Sequence, residues 1–353
     1  MNITAEALAP VLREYDISGK IEQITYYYNE TDDSRIKIIA KLDVEQRDPL
    51  VIKLLRDPSR THAQLEKQYR FAEHLRRNGI PTPERYTVGG EFCLSRTVDG
   101  EKVDVVLEDW VGDSLTAIDH AAAGEIGSLL ARIHRVSFRD NRRIGTVPRF
   151  NAVGDNDYNG FGEFEKLSDI LQISRLPSIE HPAELCSRPA LCRELVYIGG
   201  QKLDAARALW ERLPNCAVQG DISLRSITRR QGGLYVFDFN NAGDETLMSD
   251  MILEGLLLTY GSPLAEGLTD ADRPAIFTSF YNGYKKICPL TQDELYAAYE
   301  IYPFYSAFLR ARVDRLRAAI NSRDSASVDA LLDETYALLT ADARRVFSPE
   351  LFA

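Results

Sequence analysis

Between Cys216 and Met251 the chain reads CAVQGDISLRSITRRQGGLYVFDFNNAGDETLMSDM. An apolar run delivers Gln219-Gly220-Asp221, a turn is marked by Gln231-Gly232-Gly233, and a second apolar run carries Asp238. The spacing predicts a hairpin with one carboxylate at each edge. Phosphoryl transfer needs such a pair: one carboxylate to orient and deprotonate an attacking hydroxyl, one to hold the Mg²⁺ that bridges nucleotide phosphates. Taken singly, Asp221 and Asp238 would read as ordinary turn and strand-end residues. Asp238, however, interrupts Val236-Phe237-Asp238-Phe239, where an unpaired carboxylate would be costly to bury. A metal ion or a basic partner is the economical explanation.

A second candidate stands upstream: Lys53, within Val51-Ile52-Lys53-Leu54-Leu55. A strand-borne lysine is by itself usually a solvated surface residue, and its meaning comes from the elements around it. Three segments dense in Ile, Val, Leu and Tyr are expected as antiparallel strands: Ile21 to Tyr28, Arg35 to Leu42 and Pro49 to Leu55, joined by NETDDS and VEQRD. A helix follows, opened by Thr61 and Gln64 at capping-box spacing. It carries Leu65, Tyr69, Ala72 and Leu75 on one face and is closed by Gly79 and Pro81. Strands then resume at Tyr86 to Val88, Phe92 to Thr97 and Val103 to Glu108. Asp109 to Leu115, with Gly112 inside it, breaks that pattern.

Beyond the break the chain reads as mainly helical. Ala121 to Val136 places Ile126, Leu129, Leu130 and Ile133 at helical spacing, and the stretch from Asp270 onward reads as a set of helices. The order predicts an α+β protein with a small antiparallel β lobe containing one helix and a larger, mainly α lobe. Its expected limits are 1–107 for the β lobe, 108–112 for the hinge and 113–353 for the α lobe. No G-x-G-x-x-G or G-x-x-x-x-G-K-[ST] occurs, which disfavours a Rossmann or P-loop nucleotide site.

These residues resemble the aminoglycoside phosphotransferases and the related choline, homoserine and fructosamine kinases, which share the protein-kinase-like fold. The family's H-G-D-x-x-x-x-N appears here as Gln219-Gly220-Asp221 and, after four residues, Ser226. Its I-D-[FWY] appears as Phe237-Asp238-Phe239, with Asp244 and Asp250 downstream. Val51-Ile52-Lys53-Leu54 is similar to the phosphate-contacting third strand. Glu108-Asp109-Trp110-Val111-Gly112 is similar to the hinge that receives adenine. The resemblance implies an ATP-dependent phosphotransferase acting on a small-molecule hydroxyl, with ATP and Mg²⁺. Asp221 would be the base, Asp238 and Ser226 the metal ligands, and Lys53, Glu108 and Trp110 the nucleotide contacts. Glu66 or Gln68 would be the partner of Lys53.

The sequence departs from the family at four places: Gln219 for the motif His, Ser226 for the metal-binding Asn, the choice between Glu66 and Gln68, and an acidic, glycine-free turn from Asn29 to Ser34. They motivate a second reading as a pseudokinase-like binding protein. A third reading is nucleotidyl transfer on the same fold. Acceptor-binding candidates are Asp155, Tyr158, Asn159 and Phe161, and Tyr302, Tyr305 and Arg310, each of which also reads as packing or surface. Asp244 and Asp250 read as structural or as contacts for a cationic acceptor, the structural role preferred.

With 53 acidic residues against 42 Lys and Arg, a net charge of −11 argues against nucleic-acid and anionic-membrane partners and tolerates a cationic ligand. The longest apolar candidate, Met251 to Tyr260, is interrupted by Glu254, and the roughly 18 apolar residues of a membrane span are not reached. No export signal is visible at the N-terminus, so a cytoplasmic protein is expected. The five cysteines form no C-x-x-C, and the five histidines no pair at ligand spacing. Free thiols, and no protein-built zinc site, are the expectation.

Overall fold

The structure, a computed structural model, describes residues 3–32, 34–148 and 188–352. The chain divides into two units, Met1–Leu115 with Arg225–Asn240, and Thr116–Leu224 with Asn241–Ala353.

The first unit is built on five antiparallel strands: β1 (Ile21–Thr31), β2 (Ile36–Val44), β3 (Leu50–Arg56), β4 (Leu94–Val98) and β5 (Glu101–Asp109), in the order β1-β2-β3-β5-β4. Central β3 is buried through Leu55, which is why its sequence is a continuous apolar run. Side chains alternate between the two faces of a strand, and the two faces of β3 pack against different helices. Leu50, Ile52 and Leu54 join Leu8 and Leu12 of α1 (Ala5–Glu14) in one core cluster. Leu55 joins Leu65 and Tyr69 of α2 (His62–Arg77), with Phe92, Cys93 and Val106, in another. Lys53, two residues before Leu55, falls on this second face.

Helix α2 starts where the sequence places it. The Thr61 hydroxyl accepts from the Gln64 amide at 3.2 Å, and the Gln64 side chain accepts from the Thr61 amide at 2.7 Å, satisfying two first-turn donors at once. The expected strand Tyr86 to Val88 does not form. Hemmed by Pro81 and Pro83 on one side and Gly89-Gly90 on the other, it makes only isolated bridges, Arg85 with Glu108 and Val88 with Glu91. The expected hairpin does form. Ile227–Arg230 pairs antiparallel with Gly233–Val236, and both linking residues, Gln231 and Gly232, have positive φ (51° and 78°). That is the type I′ geometry whose twist matches paired strands.

In the second unit, α3 (His120–Arg139) buries Ile126, Leu129, Leu130 and Ile133, as their spacing predicts. It is followed among the described residues by α4 (Pro189–Trp210), α5 (Leu247–Gly261), α6 (Arg273–Lys285), α7 (Gln292–Ala307), α8 (Arg310–Asn321) and α9 (Ser325–Leu339). A short strand, Asn215–Val218, pairs antiparallel with Gly243–Thr246, Val218 opposite Gly243. The residues that leave the first strand, Gln219-Gly220-Asp221, therefore run beside those that enter the second, Asn241 and Ala242. Among the described residues no helix is long and apolar enough to cross a membrane.

Candidate active site

Four charged groups meet in the first unit. The Lys53 ammonium lies 2.8 Å from Glu108 Oε1 and 3.8 Å from Asp238 Oδ1. Glu108 Oε2 is in turn 3.4 Å from Arg85 Nε. Lys53, Glu108 and Arg85 are almost wholly buried, whereas 23% of the Asp238 side chain remains exposed. Two cations and two anions balance, as buried charge requires. The register that makes this possible pairs Lys53 with Val106 and Val51 with Glu108, so the two side chains are diagonal neighbours across β3 and β5. The Arg85 guanidinium sits over the Phe239 ring at 5.3 Å. Burial pulls its pKa down and Glu108 opposes that shift.

Asp238 is held in the left-handed region, φ 57°, which Asp tolerates better than most residues because its short polar side chain bonds locally. Burial disfavours its ionised form. The nearby charges of Lys53, Lys37 and Arg60 and the Asn240 amide outweigh that effect and hold the carboxyl below its ordinary range. Asn240 itself is fixed by Tyr69, whose hydroxyl donates to Asn240 Oδ1 at 2.5 Å. The Tyr69 phenol is driven well up by burial and by Glu108 and Asp238, so it stays a donor. Ser226 is buried, and its carbonyl accepts from the Phe237 amide at 2.9 Å, tying the residue to the strand that ends in Asp238.

In the second unit the catalytic-loop candidate is built around Asp221. Its amide donates to Gln219 Oε1 at 2.8 Å, and its carboxylate Oδ2 accepts from Asn241 Nδ2 at 2.7 Å. Gly220, φ 72°, lies between them. A Cβ there would stand 2.7 Å from both the Asn241 carbonyl oxygen and the Pro148 Cβ, so only glycine lets the two segments run this close. The next amide, Ile222, donates at 2.6 Å to Glu254 Oε2.

Glu254 sits on α5 one turn after Asp250, and both are buried. Asp250 Oδ2 lies 2.9 Å from His134 Nε2, and His134 Nδ1 lies 2.8 Å from the Tyr284 hydroxyl. With Nε2–H donating to Asp250, Nδ1 is left to accept from Tyr284. Two buried oxygens, Asp250 Oδ1 and Glu254 Oε1, have no hydrogen-bond donor among the described residues. Burial first, then Asp250 and Asp221, push the Glu254 carboxyl well above the ordinary range, so its protonated form is favoured.

The remaining sequence candidates fall as follows. Glu66 faces away from Lys53: Oε2 accepts from the Phe92 and Cys93 amides at 2.9 and 3.0 Å, and Oε1 pairs with Arg70 at 2.7 Å. Gln68 is buried in α2. The carboxylate against Lys53 is thus Glu108, a residue the sequence places in the hinge. Trp110 packs against Tyr27 of β1, the tilted rings 4.9 Å apart, and its amide donates to the Pro49 carbonyl. The acidic turn after β1 closes on itself, since Asp32 Oδ1 accepts from the Ser34 and Arg35 amides.

Asp244 takes the Ile144 and Gly145 amides on its two carboxylate oxygens. Tyr302 and Tyr305 are core residues of α7, while Arg310 is exposed and pairs with Asp314 at 3.5 Å. Asp155, Tyr158, Asn159 and Phe161 lie outside the described residues. Sequence reasoning missed Arg85, Asn241 and Glu254. Only Asn240-Asn241, directly after Phe237-Asp238-Phe239, offers a local signal.

A helix-backed antiparallel sheet with a buried strand lysine, and a mainly helical unit with an aspartate turn, define the protein-kinase-like α+β fold. Residues 40–272 match the model of the phosphotransferase enzyme family, APH; the chain belongs to that family. Similar solved structures include an amicoumacin kinase, hAmiN, in complex with AMP-PNP, Ca²⁺ and Ami (TM-score 0.59, 14% identity, 95% of this chain and 96% of that one). Another is an aminoglycoside phosphotransferase from Alicyclobacillus acidocaldarius (0.57, 15%, 97% and 94%). A third is a microcompartment-associated aminopropanol kinase (0.55, 13%, 95% and 95%). At these identities the likeness speaks for the fold alone. No curated protein sequence matches the chain at a significant level.

Proposed function

We propose that the chain is an ATP-dependent phosphotransferase that phosphorylates a hydroxyl of a small molecule: an aminoglycoside, an amino alcohol or a sugar-like alcohol. The observation that carries this reading is the charge-balanced group of Lys53, Glu108, Arg85 and Asp238. It keeps a lysine and an ionised, partly exposed aspartate 3.8 Å apart. Family membership supplies the reaction class, and the −11 charge favours a cationic acceptor.

In this reading Lys53 contacts the nucleotide phosphates, with Glu108 holding its ammonium in place. Adenine is received along 108–112, the hinge between a nucleotide-binding part, 1–107, and an acceptor-binding part, 113–353. Asp238 suits Mg²⁺, a hard cation that prefers carboxylate oxygen, and Ser226 is its second candidate ligand. Mg²⁺ would neutralise charge on the transferring phosphoryl group. Asp221 orients the acceptor hydroxyl and takes its proton as the oxygen–phosphorus bond forms, with ADP leaving. Gln219 and Asn241 hold the Asp221 backbone and carboxylate, so the loop is ordered without the family's motif histidine.

A second reading, nucleotide binding without turnover, is favoured by Ser226 at the metal-binding Asn position and by the self-closed acidic turn. Thermal shift with ATP, with and without Mg²⁺, followed by an ATP-consumption screen over hydroxyl-bearing metabolites and aminoglycosides, separates the two. Absence of any nucleotide shift would refute the kinase reading. A Mg²⁺-dependent shift with no turnover on any acceptor favours the second. Product mass distinguishes phosphoryl from nucleotidyl transfer, the third reading.

A further inference from the structure

Among the described residues one group of side chains has the composition and spacing of a metal site, and it lies apart from the Lys53 cluster. His62 Nδ1, Cys93 Sγ and a carboxylate oxygen of Asp104 are all within 4.8 Å of one another. We propose that His62, Cys93 and Asp104 bind a thiolate-preferring divalent cation of the zinc type, with water as the fourth ligand.

The donors come from three elements of the first unit: the first residue of α2, the residue preceding β4, and β5. The β4–β5 register pairs Leu94 with Val105 and Ser95 with Asp104, which brings Cys93 close to Asp104. His62 Nδ1 is already 2.8 Å from Asp104 Oδ1. The third donor is fixed by Glu66, one turn after His62 on α2, whose Oε2 accepts from the amides of both Phe92 and Cys93. Glu66 thus ties the helix carrying one donor to the segment carrying another, as residues behind a metal's ligands do.

The chemistry of the set is selective. Imidazole nitrogen, thiolate sulfur and carboxylate oxygen together suit Zn²⁺ and its neighbours and do not suit Mg²⁺. Bonds of about 2.0–2.3 Å to one ion put tetrahedral ligands roughly 3.3–3.8 Å apart. The widest separation here must therefore close by about 1 Å. The His62 side chain, 41% exposed, has room to turn, and the same exposure admits water to the fourth position.

Two bland alternatives are a buried cysteine acting as a small apolar residue and a half-exposed His–Asp pair. A half-exposed pair of this kind adds little to stability. Neither explains why the thiol lies among carboxylates. Burial, with Asp104, Glu66 and Glu91, drives the Cys93 pKa well up. A divalent cation that replaces the thiol proton offsets the part of that penalty due to the carboxylates. Binding releases the thiol proton to solvent and changes no oxidation state. Local spacing rules miss such a site because its donors are far apart in the chain.

The test is titration of the full chain with Co²⁺, followed by near-ultraviolet absorbance. A sulfur-to-cobalt charge-transfer band is expected in the wild type. Zn²⁺ should abolish it, Cys93→Ser should lack it, and His62→Ala should show it only at 10-fold or more higher metal concentration. The band also separates this site from Mg²⁺-type sites made of oxygen, which give none. No band in the wild type, or a band that survives in Cys93→Ser, overturns the proposal. Where Cys93→Ser fails to fold, the half-exposed His62→Ala decides: unchanged affinity for Co²⁺ overturns it equally.

Discussion

Lys53 is paired with Glu108 at 2.8 Å, across neighbouring strands of one sheet. In protein kinases the corresponding lysine is held by a glutamate of the helix, so helix position controls the pair. Here α2 contributes Tyr69 and its bond to Asn240, while Glu66 is turned toward Phe92 and Cys93. A lysine whose partner lies on the adjacent strand keeps that partner wherever the helix goes.

Glu108→Gln leaves Lys53 and Arg85 buried with Asp238 as their remaining counter-charge. Removing one partner of a buried pair costs about 3–5 kcal/mol, so the urea midpoint should fall markedly and the ATP KM should rise. Glu66→Gln should leave the ATP KM nearly unchanged. Glu108→Gln with stability and KM both retained would contradict the ion cluster.

Asp238→Asn is the informative change at the proposed metal ligand. Asn adopts the left-handed backbone as readily as Asp, so φ 57° carries no new strain and the variant should fold. Without the carboxylate, calorimetry should show affinity for Mg²⁺·ATP reduced roughly 10-fold or more, with metal-free ATP affected far less. Equal loss with and without Mg²⁺ would remove Asp238 from the metal.

Much of this arrangement is legible in the sequence because it is carried by local pattern. Three strands, the Thr61–Gln64 capping box and the turn at Gln231-Gly232 each follow from adjacent residues. Lys53 and Asp238 are visible because a charge interrupts an apolar run. The Glu108 contact is not visible, since it depends on strand register, and a one-residue slip would turn its side chain to the other face. Glu254 reads as a flaw in a hydrophobic helix until the Ile222 amide is placed against it. Tyr86 to Val88 has strand composition and lacks a partner of sufficient length.

Asp221→Asn keeps the size of the side chain and can still meet Asn241 after an amide rotation, so folding and nucleotide affinity should hold within a few-fold. Loss of the base should lower kcat by about 10²–10⁴-fold with little change in ATP KM. Gly220→Ala acts differently. Its Cβ strikes the Asn241 carbonyl oxygen, so both stability and kcat should fall. Full activity in Asp221→Asn would refute the assignment of the base.

The pH dependence of stability isolates Glu254. The charged groups facing it are Asp250 on its own helix and Asp221 on the loop, and Asp250 is in turn bonded to His134 of α3. Its folded pKa is raised well above 4.5 by burial and by Asp250 and Asp221, so between pH 4.5 and the folded value the native state holds a proton that the unfolded state has released. Its contribution is complete below 4.5 and declines as pH rises, by up to about 1.4 kcal/mol per pH unit. Glu254→Gln retains an acceptor for the Ile222 amide and has no proton to release. It should therefore keep near-native stability at pH 5 and activity near neutrality, and lose less stability than the wild type as pH rises. Glu254→Ala leaves the Ile222 amide without its acceptor, at about 1–3 kcal/mol, with kcat reduced. Urea midpoints measured from pH 5 to 9 for the three proteins check this: parallel curves for wild type and Glu254→Gln would mean that Glu254 is already ionised in the fold.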